Sequence, residues 1–295
     1  MDVRVQPGKY IVAVSGGVDS IVLLDLLSRQ LGVELVVAHF DHGIRTDSAE
    51  DRVLVEKAAE RYDLSFVYEE GRLGKEASEA EARLARYAFL ERVRVEQGAR
   101  AIITAHHQDD MLETAILNLL RGTGRKGLTA LANRPTLLRP LLHIPKSELI
   151  AYAHKCHIVW HEDSTNTDVR YLRNYVRHQI MPRFEPDTKD ALLKLIEQTR
   201  QTNQALDSAL ADLLVDNIGG ATLDRRTFIQ LPHAASKELL ASWLRVSGIA
   251  QFDSKLIDRV TIAAKTQAPG ATINLIGGAN IRVLQHTLAL ERPER

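Results

Sequence analysis

The sequence predicts an α/β fold: a doubly wound parallel sheet, then a smaller α+β domain behind a long linking helix. Three observations lead there. Short β-branched runs alternate with amphipathic stretches as far as Leu120. Each unusual polar cluster in that half follows directly on a strand-like run. From Asp187 the pattern changes to one uninterrupted helical stripe followed by short alternating runs.

Tyr10–Val14 is a compact apolar run, the pattern of a strand buried on both faces. Ser20–Gln30 has the apolar spacing of a helix laid on a sheet. Glu34–His39, Ser65–Tyr68 and Ala101–Ala105 repeat the strand signal, and Ser48–Tyr62, Ser78–Gln97 and Asp109–Leu120 repeat the helix signal. Strands separated by helices pair in parallel through crossovers, and ligands then bind at the strands' carboxyl ends. The polar runs Ser15–Ser20, His39–Arg45 and His106–Glu113 fall at those ends.

A second region begins near Pro182–Pro186. Asp187 to about Asn217 reads as one helix, striped by Leu192, Leu195, Ile196, Leu206, Leu210, Leu213 and Leu214. Ala234–Ser247 and Ser254–Lys265 are shorter amphipathic stretches, and Ala271–Ile276, Asn280–Leu284 and Thr287–Leu290 read as a small β-meander. The expected division is 1–185 for chemistry and 186–295 for positioning a partner, because the tail carries no catalytic cluster. Truncation near Glu185 is expected to leave nucleotide binding detectable and to weaken the partner's hold, with charge reversal at Arg225 and Arg226 as the fallback test should the truncated protein not fold.

The chain has 295 residues, 45% of them hydrophobic, with no membrane-length apolar segment and no apolar signal core at the N-terminus. Its single cysteine, Cys156, cannot pair internally, which suits a reducing cytoplasm. The net charge of +0 argues against a uniformly basic nucleic-acid binder, yet from Arg121 to Arg183 there are 11 lysines and arginines against 4 carboxylates. A stretch so one-sided beside a nucleotide site fits a phosphate-rich partner.

Ser15-Gly16-Gly17-Val18-Asp19-Ser20 joins the first strand to the first helix. The glycines let backbone amides turn toward a phosphate, Ser15 and Ser20 add hydroxyl donors, and the helix start adds partial positive charge. No lysine follows, so this is not the loop that grips a γ-phosphate for hydrolysis. Asp19 would repel phosphate unless a divalent cation lay between them. After the second strand, His39-Phe40-Asp41-His42-Gly43-Ile44-Arg45 suggests phosphate contact by Arg45 and loop ordering by Asp41; neighbouring turn positions rarely converge on one zinc ion. After the fourth strand, Asp109, Asp110 and Glu113 share one face of a helix start. Helix-dipole complementation explains one such carboxylate easily and three less well, and the group suits Mg²⁺, an incoming ammonium, or both. Arg121-Gly122-Thr123-Gly124-Arg125-Lys126-Gly127 reads either as a helix C-cap with a turn or as a cationic flap over phosphates.

The first loop resembles the pyrophosphate-binding loop of the N-type ATP pyrophosphatases, which split ATP between the α and β phosphates. Taken with Glu81–Tyr87, Arg139–Leu142, Glu162–Asn166 and Tyr171–Arg177, the runs from Lys9 to about Arg183 closely resemble the tRNA(Ile)-lysidine synthetase family, and the tail is similar to its second domain. The resemblance implies an adenine nucleotide alpha hydrolase-like fold and the cofactors ATP and Mg²⁺. It implies ligation of free L-lysine to C2 of the first anticodon cytidine of a tRNA(Ile) with a CAU anticodon, changing decoding from AUG to AUA. On it, Ser15, Gly16, Gly17, Val18, Asp19 and Ser20 hold ATP, with Asp19 on the magnesium. His39, Arg45, Arg83 and His106 also face ATP, Asp110 and Glu113 take the lysine, and Arg173 and Arg177 reach phosphate or the flipped base. In length the chain resembles the short, two-domain members. A tRNA thiolase would need further cysteines or an iron–sulfur cluster, which a lone Cys156 does not supply. An NAD synthetase would leave the arginine-rich stretch without a purpose, and a non-catalytic RNA-binding module would have no use for the carboxylates.

Overall fold

The structure is a computed structural model and describes residues 1, 3–43, 48–71, 79–161, 172–217, 221–249 and 252–292. The chain divides into two compact units, Met1–Ile196 and Glu197–Arg295.

The first unit is built on a parallel five-stranded sheet in the order β3-β2-β1-β4-β5, from β1 (Gly8–Ala13), β2 (Val33–Asp41), β3 (Ser65–Glu70), β4 (Ala101–Ile103) and β5 (Leu137–Leu138). The chain runs outward one way from β1 to β2 and β3, then returns to place β4 on its other side. The crevice between β1 and β4 is therefore the topological switch point, where an open α/β sheet receives ligands. Helices cover both faces: α1 (Val18–Ser28), α2 (Ser48–Arg61), α3 (Glu79–Glu96), α4 (Gln108–Leu120), the single turn α5 (Arg125–Leu128) and α6 (Lys146–Lys155). Alternation along the strands sorts their side chains. Tyr10, Val12, Leu35, Val37 and Ile103 pack with α1, α2 and α6 through Leu23, Leu24, Val55 and Leu149. Ile11, Val36, Ala38 and Ile102 pack with α3 through Phe89, Leu90 and Val93. A further cluster seats α4 (Met111, Leu112, Ala115) against Leu142, Val176, Met181 and Ile196. Val176 belongs to a segment of helical turns: α7 (Leu172–Tyr175), a π-helical turn (Val176–Ile180) and a 3₁₀ turn (Met181–Arg183).

The predicted strands and helices of this unit all form, with ends displaced by a residue or two. β5 and α6 extend the alternation further than the periodicity reached, because β5 has only two residues. The run Arg121–Gly127 is a helix C-cap turning into α5: Thr123 Oγ1 donates to the Asn118 carbonyl, and Asn118 Nδ2 donates to the Gly127 carbonyl, both at 2.8 Å.

Helix α8 (Pro186–Asn217) begins in the first unit and ends in the second. The second unit pairs β6 (Thr222–Asp224), β9 (Thr287–Glu291), β8 (Asn280–Val283) and β7 (Thr272–Asn274) antiparallel, in that order. With α9 (Arg225–Gln230), α10 (His233–Val246) and α11 (Ser254–Thr266) it encloses Trp243, Phe228, Leu240, Val260 and Ile281. The meander thus has a fourth strand. Arg225 corrects an expectation. It is 6% exposed, and its guanidinium donates to the Ala264, Gln267 and Leu284 carbonyls at 3.0, 2.6 and 3.2 Å. It fastens the end of α11, so reversing its charge tests the fold rather than a partner surface.

Candidate active site

β1 ends in an apolar core, and its polypeptide then turns directly into α1. Gly16 sits at φ +97°, a left-handed conformation natural to glycine, and a Cβ there would meet the Asp51 carboxylate at 3.4 Å. Ser20 Oγ donates to the Gly17 carbonyl at 2.8 Å and accepts the Ser15 N–H at 3.2 Å; the Ser15 and Ser20 hydroxyls are 3.3 Å apart. The two serines brace the loop from inside, and Val18 is buried beneath it. From outside, the His161 N–H donates to the Gly16 carbonyl at 3.1 Å, while His161 Nδ1 lies 2.9 Å from Asp51 Oδ1.

Asp19, in the first turn of α1, faces two basic side chains that the sequence reading left out of the site. His107 Nε2 is 3.5 Å and Lys146 Nζ 3.3 Å from its Oδ2. Burial pushes the Asp19 carboxyl up, but the hydrogen bond and charge of His107 and the ammonium of Lys146 outweigh it, and its pKa lies below the ordinary 3.8. The same exchange works in reverse on His107. Burial lowers it, Asp19 and Asp110 raise it more, and it stands above 6.5. Asp19 Oδ1 is buried with no hydrogen-bond partner. A carboxylate oxygen left over in a phosphate loop fits a hard divalent cation. Among the described residues no three His, Cys, Asp or Glu side chains converge on a metal site of their own.

α4 starts at the end of β4 and carries the predicted carboxylates. His107 caps it: the His107 N–H donates to Asp110 Oδ2 at 3.0 Å. Glu113 is 2% exposed and receives both predicted arginines, Arg177 through Nε at 2.6 Å and Nη2 at 2.9 Å, and Arg173 through Nε at 3.2 Å. Each arginine also reaches Asp110 Oδ1, at 3.4 and 3.5 Å. Burial raises the Asp110 carboxyl, but His107, His106 and Arg173 pull it below its ordinary value. Asp19, Asp110, Glu113, Arg173 and Arg177 thus form one connected charge network across the β1–β4 crevice. A π-helical turn bears Arg177, a backbone form frequent at functional sites.

The other predicted residues lie in different surroundings. His39 is buried, with Nδ1 2.8 Å from the Val14 carbonyl and its ring stacked on Tyr68, and burial holds its imidazole below the ordinary pKa. It supports the strand end that leads into the loop. His106 Nδ1 lies 2.8 Å from Thr104 Oγ1. Burial, then the charges of Arg139, Arg86 and Arg83, drive its pKa down, so a basic corner gathers beside it. Arg83 is exposed and lies over the Tyr87 ring at 4.9 Å. Asp41 Oδ1 accepts the Gly43 N–H at 2.8 Å, as loop ordering requires. Arg45, Glu162–Asn166 and Tyr171 lie outside the described residues.

His107 was visible in the sequence as a second histidine beside the carboxylates. Lys146 had one signal: it opens the helix after Pro145, in the stretch that leaves the fifth strand. That strand is too short to announce itself.

A family model described as PP-loop domain matches residues 3–184. A curated tRNA(Ile)-lysidine synthase from Thermotoga maritima is 35% identical over 72% of this chain and 55% of its own length. One from Geobacter sulfurreducens is 33% identical over 92% of the chain and 62% of its own. The chain therefore spans little more than half of each relative. Among solved structures, the U34-tRNA thiolase NcsA from Methanococcus maripaludis aligns with a TM-score of 0.53 at 18% identity, covering 66% of this chain and 73% of that one, a likeness of fold alone.

Proposed function

The chain belongs to the PP-loop family, and from that premise we propose that it ligates L-lysine to C2 of the first anticodon cytidine of tRNA(Ile), at the expense of ATP. The C2 oxygen attacks the α-phosphorus, the bond to the bridging oxygen breaks and pyrophosphate leaves. The lysine ε-amine then forms a C–N bond at C2, and AMP departs with the former C2 oxygen. The identities of the relatives support this reading. The observation that carries it is the Asp110–Glu113 pair, held with Arg173 and Arg177 on the same crevice as the phosphate loop.

Each group has a task in that sequence. The Ser15–Ser20 loop presents backbone amides to the nucleotide phosphates; contrary to the expectation of hydroxyl donors, the Ser20 hydroxyl is committed to the Gly17 carbonyl and braces the loop. Asp19 would hold Mg²⁺, which neutralises phosphate charge when bound. Asp110 and Glu113 orient the ammonium of lysine and accept its proton before attack. Arg173 and Arg177 provide fixed positive charge for phosphate as it transfers. His39, His106 and Arg83 support the nucleotide side, and Arg45 is proposed to contact phosphate. An anticodon base is already largely unpaired, so its extrusion costs little. Residues 186–295 position the tRNA. Among the described residues no helix is long and apolar enough to cross a membrane, and we place the reaction in the cytoplasm.

The test is the mass of the nucleosides recovered after incubating the protein with ATP, lysine and tRNA(Ile). A cytidine heavier by one lysine less one water is expected. An unmodified cytidine, with tRNA-dependent ATP–pyrophosphate exchange also absent, sinks the reading.

A further inference from the structure

We propose that Lys146 is a catalytic residue whose ammonium binds the β- and γ-phosphates of ATP and accompanies the departing pyrophosphate, resting on Asp19 when no nucleotide is bound. The inference rests on the ATP-dependent reading above and deepens it. The phosphate loop Ser15–Ser20 contains no lysine, although the group leaving from it is a highly charged anion. The tertiary structure brings one from another element. Lys146 opens α6, and its backbone N–H donates to Asp109 Oδ2 at 2.8 Å, which ties the start of α6 to the start of α4. From that anchor the side chain extends to the loop and places Nζ 3.3 Å from Asp19 Oδ2.

The pair is a poor candidate for structural glue. The Lys146 side chain is 40% exposed and Asp19 24%, and an ion pair so accessible contributes little to stability. A lysine is, however, a flexible point charge with three donors, suited to following a phosphate group as it moves. Asp19 belongs to the loop itself, so an ammonium resting there is already beside any phosphate seated on the loop amides. Its partner Asp19 keeps a second oxygen without a hydrogen bond, so the carboxylate can release the ammonium and still coordinate a cation.

The test is calorimetric titration of the full chain, its Lys146→Met variant and its Lys146→Arg variant with two probes, magnesium α,β-methylene-ATP and AMP. Loss of a charge-assisted contact predicts a drop of about 10- to 100-fold in affinity for the triphosphate analogue in Lys146→Met, with recovery to within about fivefold in Lys146→Arg. AMP affinity should stay within about twofold, since AMP lacks the phosphates that Lys146 meets. Equal losses for both probes, or no loss for either, overturn the assignment. Thermal melting of each variant separates misfolding from lost contact, and Lys146→Gln replaces any variant that fails to fold. Neither probe requires tRNA or lysine. If no lysidine forms and yet the analogue alone is weakened, the ligation reading falls and Lys146 keeps its role. If the parent protein binds neither probe, both fall together.

Discussion

Arg177 grips Glu113 as a two-pronged fork, Nε to Oε1 at 2.6 Å and Nη2 to Oε2 at 2.9 Å, with the carboxylate 2% exposed. Bidentate guanidinium–carboxylate pairs are among the stronger polar contacts in proteins. The acid proposed to receive the lysine ammonium is therefore already engaged before substrate arrives. On the proposed reading, lysine would enter by joining or replacing an arginine, and an arginine so replaced would be available for phosphate.

Glu113→Gln removes the charge from this network while keeping its shape. The KM for lysine is expected to rise by about 10- to 100-fold, with the KM for ATP nearly constant. Asp110→Asn should move the same constant in the same direction. Steady-state kinetics with each substrate varied in turn makes the comparison. A shift confined to ATP would reassign the carboxylates to the metal.

The network also sets a pH dependence. His107 titrates above its ordinary 6.5, so its contribution to stability is complete below that value and fades as pH rises through its folded pKa. Asp19 titrates below its ordinary 3.8, so its contribution is complete above 3.8 and is lost as pH falls through its folded pKa. Between these limits both groups are charged and the pair stabilises most. His107→Gln should accordingly lower Tm more at about pH 5 than at about pH 9. Equal losses at the two pH values would show that His107 is uncharged in the folded protein.

Cys156→Ser should ligate lysine at close to the parental rate, because no step proposed requires a thiol. Cys156 packs at the end of α6 against the core beneath β1, so a polar replacement should cost about 1 kcal/mol in unfolding free energy. Denaturant titration measures the cost. An inactive but well-folded variant would point back to sulfur chemistry.

The unit boundary decides where a truncation is informative. Ile196 is 1% exposed and packs with Leu192 and Leu193 in the cluster that seats α4. Ending the chain at Glu185 removes all three, and loss of the buried Ile196 side chain alone costs about 2–5 kcal/mol, with the half-buried Leu192 and Leu193 adding to it, so that protein should unfold. Ending it after Ile196 should preserve binding of magnesium α,β-methylene-ATP. The remaining arginine-rich stretch should then attract isoleucine and methionine tRNAs alike, and only at low salt, with a logarithmic slope of about 0.7 per phosphate neutralised on single strands. Gel-shift titration across salt concentrations provides the comparison. A truncated protein that still selects tRNA(Ile) at physiological salt would remove the positioning role from the second unit.

The local pattern was legible where structure repeats within a turn or a strand. Tyr10–Val14 announces a buried strand through five consecutive apolar residues, and α4 aligns Asp110 with Glu113 because helical side chains three apart share a face. The glycine loop was legible for a similar reason, since its conformation is local. Some short elements were not. β5, β6 and the π-helical turn are too brief for any period to accumulate.

By itself the sequence determined the parallel α/β architecture, the phosphate loop and the pairing of Asp110 with Glu113 on α4, because neighbours along the chain carry that information. The tertiary structure alone decided which distant residues meet. Lys146 reaches Asp19 across 127 positions, and Arg177 reaches Glu113 across 64. His161 and Asp51, 110 positions apart, join beside Gly16. Arg225 turned out to be an interior brace rather than a surface cation. The Lys146–Asp19 pairing follows from the strand order 3-2-1-4-5, which carries the loops after β1, β4 and β5 to one edge. Nothing in the spacing of residues encodes that order, since it is set by which apolar faces bury each other best.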